Sequence, residues 1–238
     1  MGKRIAVGAL LVLAFAIAFA PAGLVRIAMD PAAPVSLLEP SGTLWEGQGQ
    51  LTGQGVPIGR LSWDLQPVTI LSGALGYAFT LVGEDLDLQG SVSAGIDNTA
   101  EVRASGRIGG NFVNELLAPY AMSIGGPLNL EAAGLQFQGQ RPTGASGTAS
   151  WQGGTVRYRL SGRSYSTVLP PMVATLGPGP EAAVSREGQS APLMLAELQP
   201  NGFAKVGITK GLTRLLGNPW PGDAQDTEVV LQVEEKIF

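Results

Sequence analysis

The sequence predicts a mainly β protein: a large antiparallel meander sheet, curved or sandwich-like, with one N-terminal transmembrane helix and one or two short helices. Three observations predict it. Apolar and polar residues alternate with period two along most of the chain. Turn-formers interrupt that alternation heavily, with 34 Gly and 17 Pro among 238 residues. A single long uncharged run stands at the N-terminus. The length suits one β domain with a short appendage.

The first element is that run. Lys3 and Arg4 precede an uncharged stretch from Ile5 to Val25, and Arg26 closes it. As a helix it reaches about 31 Å, enough for a bilayer core of roughly 30 Å. Residues 1–4 then form a cytoplasmic tip, 5–25 a transmembrane signal-anchor, 26–34 a linker and 35–238 an exported β domain. Ala18-Phe19-Ala20 has the small-x-small form of a cleavage site, but Pro21 directly after the cut disfavours processing. An uncleaved anchor is therefore expected, with its basic N-terminus in the cytoplasm. Lys3, Arg4 and Arg26 are three of 15 basic residues, which leaves 12 against all 19 acids beyond the span. That balance argues against nucleic acid and against a polybasic lipid-surface binder. Ala14 and Ala18 share small-xxx-small spacing, which so alanine-rich a span produces by coincidence.

Beyond Asp30-Pro31-Ala32-Ala33-Pro34, an extended connector, strands follow one another. Leu61, Trp63 and Leu65 alternate with Arg60, Ser62 and Asp64; Leu75, Tyr77, Phe79 and Leu81 make a longer apolar strand. Leu86, Leu88, Gly90, Val92 and Ala94 share one face and Asp85, Asp87, Gln89, Ser91 and Ser93 the other. Asp97-Asn98 turns the chain into Val102, Ala104, Gly106 and Ile108 opposite Glu101, Arg103, Ser105 and Arg107. Leu128 and Leu130, Leu135 and Phe137, Val156, Tyr158 and Leu160, and finally Val229, Leu231 and Val233 continue the pattern. Such a sheet has one apolar face, which another sheet, its own curvature, a partner or lipid must cover.

Two helices are expected, from Asn111 to Met122 with Asn111 as cap, and from Lys210 to Leu216 between Thr209 and Gly217. Pro170 to Gln189, containing Gly177-Pro178-Gly179-Pro180, reads as a long loop. Gly147-Thr148-Ala149-Ser150-Trp151-Gln152-Gly153 faintly echoes Gly42-Thr43-Leu44-Trp45-Glu46-Gly47, with the Trp displaced by one residue. Two imperfect copies make recurring strand-entry chemistry, not a repeat architecture.

The chain contains no cysteine and no histidine. Disulfides, thiolate nucleophiles, imidazole acid–base chemistry and zinc sites built on nitrogen or sulfur are excluded. Gly47-Gln48-Gly49-Gln50-Leu51-Thr52-Gly53 resembles a phosphate loop, but no helix follows it, so its glycines serve strand twist or close approach. Glu84, Asp85 and Asp87 form the tightest acid cluster; a solvated polar face accounts for it better than calcium or acid–base work. Asp223, Asp226, Glu228, Glu234 and Glu235 make the C-terminal segment acidic, either a docking strip for a basic partner, with Glu228, Glu234 and Glu235 as its candidates, or protection of an edge strand. Trp45 and Trp63 fall in neighbouring predicted strands and are expected to pack in the core. No Gly-x-Ser-x-Gly elbow occurs, and no motif surrounds Lys205 or Lys210.

Several of these features occur together in one family. Ser41-Gly42-Thr43-Leu44-Trp45-Glu46-Gly47 is followed by Gly59-Arg60-Leu61-Ser62-Trp63-Asp64-Leu65-Gln66-Pro67, then Leu71 and Gly73-Ala74-Leu75. Gly217-Asn218-Pro219-Trp220 precedes a valine-rich strand and an acidic tail. This arrangement resembles the type II secretion system protein N family over nearly the whole chain. The resemblance implies a non-enzymatic accessory component of the Gram-negative general secretory pathway. It implies a bitopic inner-membrane protein with a periplasmic β domain, no catalytic residues, no cofactor and no metal. Gly42, Trp45, Gly47, Trp63, Pro67, Gly73, Pro219 and Trp220 are its motif positions, and a structural role is expected for them. Its partners would be other secretion-system components, with self-association and lipid contact left open. The alternative is an AsmA-like periplasmic scaffold whose apolar face shields lipid acyl chains.

Overall fold

The computed structural model describes residues 19–24, 35–53, 56–160 and 162–236. They fall into two compact units, Met1–Glu84 and Asp85–Phe238. The protein is mainly β with a few short helices, and every strand pairing described below is antiparallel.

Most of the expected membrane helix, residues 5–18 and Val25, lies outside the described residues, as does the linker 26–34. Among the described residues no helix is long and apolar enough to cross a membrane. The described part of the expected span is corrected: it is not α-helix. Pro21 makes a backbone bridge to Thr43, and Ala22–Leu24 forms one 3₁₀ turn. Proline has no N–H for a helical ladder and its ring clashes with the preceding turn. The segment instead joins the first unit, where Leu44 N–H donates to the Ala20 carbonyl at 2.7 Å and Ala22 is buried.

The first unit is a four-stranded meander, β1 (Val35–Gly42), β2 (Glu46–Gly53), β3 (Val56–Leu65) and β4 (Ala74–Val82), paired in chain order. Period-two patterning sets its faces. Gly47 lies opposite Trp63 and Trp63 opposite Phe79, while Gly49, Leu61 and Leu81 form the next row on that face. Leu37, Trp63 and Ala22 are its buried core, with Leu51, Leu61 and Tyr77 packed beside them.

The second unit holds a nine-stranded sheet, ordered β5 (Leu86–Gly95), β6 (Thr99–Ile108), β8 (Leu128–Gln138), β9 (Arg141–Trp151), β12 (Met172–Leu176), β13 (Glu181–Arg186), β14 (Pro192–Leu198), β15 (Phe203–Thr209) and β16 (Val229–Lys236). A smaller sheet, β11 (Arg163–Leu169), β10 (Gly154–Leu160) and β7 (Met122–Ile124), packs against part of it. Trp151, Val156, Leu169, Met172 and Leu193 form the buried cluster between the two, closed by Leu212, Leu215 and Leu216. The sandwich is therefore local.

Several expectations change. Leu128–Leu130 and Leu135–Phe137 belong to one strand, β8, interrupted by a bulge between Glu131 and Gly134 where Ala132 takes φ 47°. Pro170–Gln189 is not a long loop but the hairpin β12–β13, with Gly177 N–H donating to the Glu181 carbonyl at 2.9 Å to close it. Alanines at 174, 182 and 183 blur the alternation there, and pairing with β9 and β14 supplies what local propensity lacks. The first helix is Gly110–Leu117, followed by a 3₁₀ turn over Ala118–Tyr120; Pro119 ends the α-helical ladder, and Met122 already starts β7. The second helix, Lys210–Leu215, follows Thr209 and stops before Gly217 at φ 78°, close to expectation.

Candidate functional site

The two tryptophan motifs converge in the first unit. Gly42, at φ 90°, and Gly47 face each other at the end of the β1–β2 hairpin. Between them the Thr43 side chain ties the turn, its Oγ1 accepting from Trp45 N–H at 3.3 Å and Glu46 N–H at 3.1 Å. Trp45 is half-buried in that turn rather than in a strand, and its carbonyl accepts from Leu65 N–H at 2.7 Å. Trp63 comes up from β3 beneath the turn, donating from Nε1 to the Leu44 carbonyl at 3.2 Å. A Cβ on Gly47 would lie 2.6 Å from Trp63 Cζ2, and one on Gly49 would lie 2.8 Å from Leu37 Cδ1. Gly47 and Gly49 thus seat an indole and a leucine, the close approach expected of the glycines in this run.

Pro67 starts the four-residue helix Pro67–Ile70, a position where its missing N–H costs nothing. Gly73, at φ 76°, ends the turn that follows. Thr69 holds this connection to the sheet, donating to the Gln66 carbonyl at 2.7 Å and accepting from Gly76 N–H at 2.9 Å. The first six motif positions therefore build one folded joint. Its opposite face borders an open cavity of about 630 Å³ lined by Ser41, Gln48, Ser62, Thr80 and the carboxylates Glu46 and Asp64.

Pro219 and Trp220 lie elsewhere, after the second helix. Trp220 N–H donates to Thr213 Oγ1 at 3.2 Å, while its side chain is exposed. Asn218 of the same motif donates to the Tyr158 hydroxyl, which donates in turn to the Leu216 carbonyl at 2.9 Å. The C-terminal motif thus latches the second helix onto β10. Trp151, from the faint echo, does for the second unit what Trp63 does for the first: it is buried and donates from Nε1 to the Gly125 carbonyl at 2.8 Å.

The acids separate. Asp85 precedes β5 and caps the first helix from outside, its Oδ2 accepting from Phe112 N–H at 3.0 Å. A Cβ on Gly109 would lie 1.6 Å from Asp85 Oδ1, so glycine at the N-cap position is what admits the carboxylate. Asn111 is not the cap, and Asp85 is not part of the solvated face. No local signal marks this pairing, because 27 residues separate Asp85 from Phe112. Among the described residues no three acidic groups are placed to hold a metal ion.

Glu228, Glu234 and Glu235 do not form one strip. Glu228 Oε2 accepts from Gln225 N–H at 3.3 Å before β16 begins. Glu234 stands opposite Lys205, whereas Glu235 stands opposite Ala204 and accepts from the Tyr120 hydroxyl. That hydrogen bond, with the carboxylate's charge, raises the Tyr120 pKa above its usual 10.0. At the β5–β6 hairpin the Thr99 hydroxyl donates to Asp97 at 2.6 Å and holds its carboxyl below the usual range. On β6 the Gln136 amide, and then Arg103, do the same for Glu101.

The nine-stranded sheet has an apolar face. Val92 faces Val102 and Val102 faces Leu135 in one row. These three remain 38%, 39% and 37% exposed, beyond the part covered by the smaller sheet.

Fold and site together define a β scaffold whose distinctive residues build joints and latches. The chain belongs to the type II secretion system protein N family, whose sequence model matches residues 33–218. The match spans both early tryptophan motifs and ends within the C-terminal one. The family is a non-enzymatic secretion component, and membership implies contact with other components of that system. No curated protein and no solved structure matches the chain.

Proposed function

We propose that this protein is an accessory inner-membrane component of the type II secretion apparatus. It has a structural or assembly role in moving folded proteins across the outer membrane, and no catalysis of its own. The family match over residues 33–218 carries the reading. The placement of the motif residues supports it, since they stabilise turns and strand contacts and do not converge on a reactive centre. The N-terminus lies in the cytoplasm, the run from Ile5 onward anchors the chain, and the β portion is periplasmic. Lys3 and Arg4 before an uncharged run support that topology.

Deleting the protein in its host should lower export of type II substrates, or destabilise other apparatus components, while delivery to the periplasm continues. Unchanged secretion and unchanged component levels would defeat the proposal. Photocrosslinking probes at Asp87, Arg103, Glu228 and Ala14 would then locate the partner surface.

A second reading rests on the exposed Val92–Val102–Leu135 row: the apolar face shields lipid acyl chains. Purified chain that carries no lipid by mass spectrometry would remove it.

A further inference from the structure

Four outermost strands differ in what they offer another strand. β1 is broken for pairing by Pro40 and by Glu39 at φ 49°, where its register shifts. β7 has three residues. β11 presents Arg163, Ser164 and Ser166 among its seven. β16 is different. It closes the order of the nine-stranded sheet, contains no proline, and runs in regular register against β15 from Leu231 to Lys236. A bulge at Val230, between the Ile208–Leu231 and Thr209–Val229 pairs, limits the regular ladder to those six residues. Leu231 and Val233 are 40% and 49% exposed on it.

An unpaired edge carries a row of free N–H and C=O groups and accepts any strand whose side chains agree with its own. Leu231 and Val233 face the same way as Ile208 and Val206, on the apolar face. A two-fold pairing of β16 with itself keeps apolar faces together only in registers that place like-facing residues opposite each other. Centred on Glu234, it sets carboxylate against carboxylate. Centred on Gln232, it runs at once into the bulge on both copies. Centred on Val233, it fits within the regular ladder. Val233 then meets Val233 on the axis, Leu231 lies opposite Glu235, and each Gln232 lies opposite a Glu234. No two carboxylates oppose, and two amide–carboxylate pairs form. The Gln232 amide already reaches Glu234 within one chain, at 3.3 Å.

We propose that β16 is a homodimerisation edge, pairing antiparallel with β16 of a second copy about Val233 and joining the two apolar faces into one. The occupant is a second copy rather than a basic strand, because the edge itself supplies the amide that Glu234 needs and Glu235 is already held by the Tyr120 hydroxyl. This goes beyond the secretion reading and does not depend on it.

The absence of native cysteine makes the test direct. In full-length protein in detergent micelles, Val233→Cys should crosslink with a short bismaleimide into a covalent dimer, whereas Ser166→Cys on β11 should not. Gln232→Glu sets two carboxylate pairs across the axis and should weaken the dimer roughly fivefold by sedimentation equilibrium, while Gln232→Lys should tighten it by a similar factor. Val233, Ser166 and Gln232 are all solvent-exposed, so circular dichroism identical to the parent checks the fold. A monomer at all concentrations, even with Gln232→Lys, overturns the proposal. So do crosslinks at Ser166 but not Val233, or equal dimer constants for the two Gln232 variants.

Discussion

Trp63 occupies the space that a side chain at Gly47 would fill, and it donates its indole N–H to the Leu44 carbonyl in the turn above. One residue's bulk and the other's lack of it are a single feature. The turn Thr43–Glu46 is held from within by Thr43 and from below by Trp63, and this is why the two motifs occur together although 16 residues separate these positions.

Gly47→Ala should destabilise the chain by about 2 kcal/mol, because the added methyl meets both the indole and the Ser41 carbonyl. Urea unfolding would measure it. The cost should fall in a Trp63→Leu background, since the indole is the flexible half of the clash. Strict additivity would show that the two positions act independently.

Asp85→Ala should cost about 1 kcal/mol through loss of the external cap on Phe112 N–H. Gly109→Ala should be worse in the parent than beside Asp85→Ala, because the carboxylate is what its methyl would strike. Hydrogen exchange at Phe112 gives a local readout. Unchanged protection there would reject the capping role.

Tyr158→Phe should cost about 1–2 kcal/mol, since it removes the hydroxyl that links Asn218 to the Leu216 carbonyl. Near-ultraviolet circular dichroism of Trp220, whose backbone is tied to the same helix through Thr213, should change with it. A silent substitution would mean the latch is redundant.

Alkaline titration should resolve Tyr120. Its folded pKa is raised, so the Tyr120–Glu235 contribution is full below the ordinary phenol value of 10.0 and is lost as pH rises through the raised folded value. Glu235→Gln removes the charge, and the phenol absorbance midpoint assigned by the Tyr120→Phe difference should move back down. A midpoint indifferent to Glu235→Gln would refute the contact.

Acid works in the opposite sense at Asp97. Its folded pKa is depressed by Thr99, so its contribution is present above the ordinary 3.8 and disappears as pH falls through the folded value. Thr99→Val should raise the Asp97 midpoint in a carboxyl NMR titration and loosen the β5–β6 turn.

What the sequence determined by itself was local and periodic. Side-chain alternation is a property of neighbouring residues, so the strands around Trp63, Val92 and Val102, their apolar faces, and the Thr209–Gly217 helix were legible without partners. The motif glycines could be read as close-approach positions because nothing else suits glycines flanked by strand. Tertiary structure alone decided the rest. The β12–β13 hairpin exists because β9 and β14 flank it, and alanine-rich strands carry too little pattern to announce themselves. Asp85 became a helix cap because folding brings it to Phe112, and acids on a strand look alike whether solvated or capping. Which strand lies at an edge depends on the order of the whole sheet. Backbone pairing energy is nearly the same for any two strands, so no stretch of sequence states its neighbour, and β16 became an edge only when the sheet was assembled.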